Sequence, residues 1–218
     1  MLEKEVLRYL GCPEQSADSR LKTRISDSLQ DLRKACTPRS VWRCFPFEMG
    51  TGSVQIGTLE IPGNSLRKHL RGCGQAVLFA ATLGAQADFL LERMSRMDIG
   101  LAAVYQASAA ALVERYCDEC EQKIAEKASR KNLFLRPRYS PGYGDFPIEC
   151  QRGILAVLDC PRRIGLSMTE RYMLVPTKSV TAVIGLTRDR PDGTVSKCAR
   201  CDSPACPFRK EPNDGSAE

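Results

Sequence analysis

The sequence predicts an α+β fold: a central, mostly antiparallel sheet with packed helices, one of them long and rich in alanine. Three observations carry this expectation. Residues 76–83 form a short run, apolar apart from Thr82 and bounded by Gly84, the pattern of a buried strand. Residues 98–127 open at Asp98 and are dense in Ala and Ser at positions 102–111, a helix whose small side chains admit close approach by another element. Val54 and Ile56 alternate with polar residues after a Gly-Thr-Gly turn, as in a half-buried strand.

The remaining elements follow in order. A short helix spans 2–10 and stops at Gly11 and Pro13. Leu21, Ile25, Leu29 and Leu32 recur at helical spacing, with Asp18 or Ser19 to cap the start and Pro38 to end the helix. Residues 41–47 and 53–61 read as strands, and Asn64-Ser65 cap a short helix that carries His69. A helix over 85–97 precedes the long one, whose second half, 114–127, turns charged and reads as a solvated face. A strand is expected near Leu133, a helix over 149–158, and strands over 171–175 and 180–186 around Pro176. One domain over 1–190 and a polar, cysteine-bearing tail over 191–218 are the expected organisation.

Composition narrows the function. Lys and Arg number 32 against 26 Asp and Glu, a net charge of +6 spread along the chain. That spread, with few aromatics, argues against a nucleic-acid binder. A single histidine, His69, argues against a Ser-His-Asp hydrolase and a multi-histidine metal enzyme. The N-terminus lacks a signal-peptide pattern, and the longest apolar run is far too short to cross a bilayer. A cytoplasmic protein with no membrane partner is expected. Its eleven cysteines would then be reduced: small core residues, metal ligands or redox groups.

The least ordinary stretch is 136–147, which holds Arg138-Tyr-Ser-Pro-Gly-Tyr143. Proline and glycine stiffen the backbone and open conformations that other residues avoid. Arg138 supplies a forked donor, Gly142 close backbone approach, and Tyr143 a ring face with a hydroxyl. Composition supports two readings equally: a rigid ligand loop for a carboxylate-bearing molecule, or a surface turn with an exposed arginine.

Arg138-Tyr-Ser-Pro-Gly-Tyr143 resembles the R-x-x-P-G-Y loop of the activation domain of cobalamin-dependent methionine synthase. Pro147, Gly165, Thr169-Glu170, Pro176 and Ser179-Val180 continue the likeness in register over about 136–186. Softer likeness extends to the segment ending at Cys73, the apolar run and the Ala-rich helix. The resemblance implies S-adenosylmethionine bound by Arg138, Tyr139, Ser140, Pro141, Gly142 and Tyr143. Arg138 would grip its carboxylate, the backbone from Ser140 to Gly142 would line the adenosyl site, and Tyr143 would lie near the methyl group and the corrin face. No side chain is implied as a catalytic acid or base. Acidic residues hold the ligand's amino group in the family. Here Glu114 and Glu119 lie in the corresponding helix but out of register. The tyrosines that follow the family's P-x-x-S-V strand are replaced by the cysteine tail.

In that tail, Cys198, Cys201 and Cys206 spell C-x2-C-x4-C. Thiolates at x2 spacing converge on one metal, and three are one short of a closed zinc site or an ordinary iron–sulfur cluster. Cys73, Cys150, Cys160 or a partner group would complete it, and a reduced, metal-free tail is the alternative. Cys117 and Cys120, and Trp42, read as packing residues, and His69 as a surface or capping residue.

The expected role is thus an accessory subunit that binds S-adenosylmethionine. It would support reductive methylation of cob(II)alamin in a separate cobalamin-dependent methionine synthase or other corrinoid protein, with a flavodoxin or ferredoxin as reductant. The alternatives are an S-adenosylmethionine-sensing or structural adaptor for a corrinoid protein, and an iron–sulfur redox partner.

Overall fold

The computed structural model describes residues 2–190, so the tail cysteines Cys198, Cys201 and Cys206 lie outside the described residues. The long apolar run becomes strand β5 (Cys73–Thr82), placed between β1 (Arg39–Phe45) and β9 (Ser179–Thr187). A short β6 (Phe134–Leu135) closes the far edge, giving the order β1-β5-β9-β6, antiparallel throughout. Both centre strands are buried on both faces over most of their length, which explains the continuous apolar stretch at 76–81 in β5 in place of an alternating one.

Alternation along these strands divides the molecule into two cores. Val77, Phe79, Ala81, Ala182, Ile184 and Leu186 face a helical layer. That layer comprises α1 (Leu2–Tyr9), α2 (Ser19–Ala35), α4 (Ala85–Met97) and α5 (Ile99–Ser129). Asp18 caps α2 by accepting from the Leu21 amide at 2.7 Å. Asp98 breaks α4 from α5 and caps the latter through the Gly100 and Leu101 amides. The small residues of α5 let α2 come close enough for the Ser28 and Ser108 hydroxyls to bond at 2.7 Å inside the core.

Ala76, Leu78, Ala80 and Val183 face the second core. There lie a three-stranded sheet of β2 (Phe47–Met49), β3 (Ser53–Ile56) and β4 (Leu59–Pro62), and helix α3 (Ser65–His69). Helices α6 (Gln151–Leu158) and α7 (Cys160–Ile164) complete it.

Three expectations are corrected. The strand expected over 41–47 breaks at Pro46, where no amide is available for a ladder, and the chain moves from the first sheet to the second. The strand expected over 53–61 is a hairpin, with Val54 opposite Ile61. The strand expected over 171–175 is reduced to β8 (Leu174–Val175), because Tyr172 sits in a left-handed turn and the segment folds back on β7 (Ser167–Met168). No helix among the described residues is long and apolar enough to cross a membrane.

Ala109 is fully buried on α5. Ala109→Leu adds three carbons where there is no room and is expected to cost about 1–3 kcal/mol. Urea unfolding monitored by circular dichroism should show a lower midpoint with an unchanged slope.

Candidate functional site

The loop over 136–147 is built on the edge of β9. The Arg136 amide donates to the Gly185 carbonyl at 2.8 Å, and Tyr139 and Val183 exchange both backbone bonds at 2.9 and 2.8 Å. This stretch is therefore strand-like, and successive side chains leave on opposite faces. Arg138 points to the helical layer and Tyr139 to the second core. The chain then turns: the Gly142 amide, at φ +92°, donates to Phe146, and Phe146 plugs the second core at 1% exposure. Pro141 is buried, Ser140 half-buried, Gly142 exposed and Tyr143 exposed at 65%.

Arg138 meets a stripe of carboxylates on α5. Its Nη2 donates to Glu114 at 2.9 Å and Asp118 at 2.8 Å, and its Nη1 lies 3.0 Å from Glu121. Its side chain is only 4% exposed. Burial disfavours the cation, but Glu121 and then Glu114 and Asp118 outweigh it, and the guanidinium pKa is raised. Arg138 is thus no open fork: the chain's own carboxylates already occupy it. The charged half of α5 is largely exposed, as expected, but one stripe of it, Glu114, Asp118 and Glu121, also walls the loop. Of the two acidic candidates, Glu114 reaches Arg138, whereas Glu119 pairs with Arg115 at 3.0 Å. Asp118 and Glu121 were legible only as members of an i, i+4, i+7 stripe with Glu114. Of the three carboxylates that meet Arg138, Glu114 and Asp118 are the most exposed.

On the other face, α3 holds the loop from both ends. The Asp145 carboxylate accepts from the Asn64 and Ser65 amides at 2.7 and 2.8 Å. Gly63, at φ +115°, is required for this approach, since a Cβ there would stand 2.6 Å from the Asp145 carbonyl oxygen. At the last turn of α3, His69 Nε2 lies 2.9 Å from the Pro137 carbonyl, and its ring stacks on Tyr139 with centroids 4.9 Å apart. Tyr139 stacks in turn on Phe146, and its hydroxyl donates to the Tyr143 carbonyl at 3.3 Å. His69, expected as a surface or capping residue, is half-buried and contacts the loop.

Two open clefts, of about 400 and 420 Å³, contain no residue of 136–147. The candidate site is an exposed loop edge between α3 and α5.

This architecture has a solved counterpart. The chain shares its fold with a crystal structure of the MetH reactivation domain bound to AdoHcy, at a TM-score of 0.61 and 19% identity. The alignment covers 79% of this chain and 66% of that one. At that identity the likeness is one of fold. No protein-family model and no curated protein matches the chain.

Among the described residues no cluster of His, Cys, Asp and Glu is suited to a metal ion. Of the three thiols considered as a fourth ligand for the tail, Cys160 is fully buried and Cys150 precedes α6. Cys73 stands across the β5–β9 ladder from Thr187, where the described chain nears its end. Burial pushes the Cys73 thiol up, and Arg136 partly offsets this.

The Asp145 clasp has a pH signature. Two backbone amides, those of Asn64 and then Ser65, pull its carboxyl down to about 2 from the ordinary 3.8. A depressed carboxylate contributes its stabilisation above the unfolded value, and that contribution fades as pH falls towards the folded one. The Asn64 and Ser65 amide resonances should therefore titrate with a midpoint near pH 2. A midpoint near 4 would mean that the clasp does not form.

Proposed function

We propose that this chain binds S-adenosylmethionine at the loop of Arg138, Tyr139, Ser140, Pro141, Gly142 and Tyr143. In this reading it is an accessory subunit for reductive methylation of cob(II)alamin on a separate cobalamin-dependent methionine synthase. The observation that carries the reading is the R-x-x-P-G-Y loop itself, anchored on β9 beside an acidic stripe in a fold shared with a reactivation domain. An anionic end, an amino group and a positive sulfur call for a guanidinium, a carboxylate and an aromatic or acidic surface, and these stand together here.

The occupied state of Arg138 specifies how binding would proceed. The ligand carboxylate takes the place of Glu114 or Asp118 on Nη2, and the displaced side chain is then free to accept from the ligand's ammonium. Ion pairs are exchanged rather than lost, so no buried charge is left alone. Tyr143, exposed at the loop tip, faces the partner. Cobalamin on that partner would supply the cobalt nucleophile, a flavodoxin or ferredoxin the one electron, and the donor's sulfonium the methyl group. This chain binds and orients, which requires no acid or base among its side chains.

We further propose that Cys198, Cys201 and Cys206 hold one metal centre, zinc or iron–sulfur, with Cys73 as the described thiol best placed to join them. Their spacing and the position of Cys73 opposite Thr187 support this.

Two measurements test these readings. In calorimetric titration with S-adenosylmethionine, Arg138→Ala should lose about 1.5–3 kcal/mol of binding, and Arg138→Lys, which keeps the charge but not the fork, should also bind more weakly. Arg136→Ala serves as the control with the smaller effect. Unchanged affinity in both Arg138 variants would remove the proposed role. Truncation after Asp189 should abolish metal in protein prepared without oxygen while leaving donor binding nearly intact. Metal-free full-length protein with freely alkylated tail thiols would refute the metal centre.

A further inference from the structure

The two faces of the loop are held by different chemistry. Arg138 is fixed on one side by carboxylates that a ligand could displace. Tyr139 and the turn that follows are fixed on the other side by α3, which a ligand on the Arg138 face leaves untouched. Within α3, the Asp145 clasp holds the far end of the loop, over Gly144 and Asp145. The near end, at Pro137 and Tyr139, is held by His69, the one histidine in the chain.

We propose that His69 is a positioning residue for the donor loop. Resting on the site reading above, it sets the backbone between Pro137 and Tyr143 in the conformation that receives S-adenosylmethionine. A carbonyl oxygen only accepts, so the 2.9 Å contact with Pro137 assigns a hydrogen to Nε2. That bond fixes the peptide immediately before Arg138, and hence the direction from which the guanidinium leaves the chain. The ring lies nearly parallel to Tyr139, at an interplanar angle of 23°, and Tyr139 is sandwiched between His69 and Phe146. A fixed Tyr139 ring holds its hydroxyl on the Tyr143 carbonyl and so braces the turn through Ser140, Pro141 and Gly142. His69 thus acts twice on one loop, by donation to its backbone and by stacking on its ring. Both actions are on the loop itself, so His69 works through other residues and is a positioning residue, not a catalytic one.

The two actions separate by substitution. His69→Gln keeps a donor and loses the stack, His69→Phe keeps the stack and loses the donor, and His69→Ala loses both. In calorimetric titration with S-adenosylmethionine, His69→Ala should bind about tenfold more weakly, since the hydrogen bond and the ring stack that preset the loop are both lost. Gln and Phe should each recover part of that loss. In ligand-free protein, amide exchange over 139–146 should be faster in His69→Ala than in wild type, and exchange in α5 and β5 should be unchanged. Because there is one imidazole, its nitrogen resonances are assigned without ambiguity, and they should report a hydrogen on Nε2. Wild-type affinity and loop exchange in His69→Ala would overturn the proposal, as would exchange that rises equally throughout the protein. If wild type itself fails to bind the donor, the site reading fails, and loop exchange in the ligand-free variants still decides the role of His69.

Discussion

Removing a guanidinium from water is favourable only where carboxylates meet it, and this requirement is satisfied at one junction of the fold. Arg138 leaves the edge of β9 and ends against α5, where three acidic side chains stand on one stripe. The alternation of a strand-like segment does the rest. With Arg138 committed to the helical layer, Tyr139 must enter the opposite core, and the turn over 140–146 must fall on the side of α3. The position of the loop in space is thus a consequence of where one charge can be buried.

This has an electrostatic corollary. The charge spread along the chain is positive overall, yet the face of α5 that meets Arg138 presents three carboxylates. Local balance, not net charge, decides what approaches a surface at distances shorter than the screening length.

Much of the scaffold was legible because its signals are local. The apolar run of β5, the Asp18 and Asp98 caps and the small residues of α5 each declare an element within a few positions. The Arg138–Tyr143 motif was legible as a pattern, but its partners were not. Nothing near Arg138 announces Asp118 or Glu121, and nothing near His69 announces Pro137, 68 residues away. The end of α5 reads as solvated and for the most part is, but only the tertiary arrangement turns one stripe of it towards an arginine. The two-residue strands β7 and β8 are shorter than any periodicity can reveal.

The loop's contacts also dictate an order of assembly. Helices α4 and α5 are neighbours in sequence and cap one another's boundary, so the helical layer can gather early from short-range contacts. The loop cannot. Its clasp to α3 joins residues 80 and 81 positions apart, and its ladder partners on β9 come after it in the chain. During synthesis it has no seat until β9 has been made and paired with β5. The loop is therefore seated last, after the strand that carries it. A ligand that recognises only the seated loop would act on that final step alone, drawing the closed state from those that precede it.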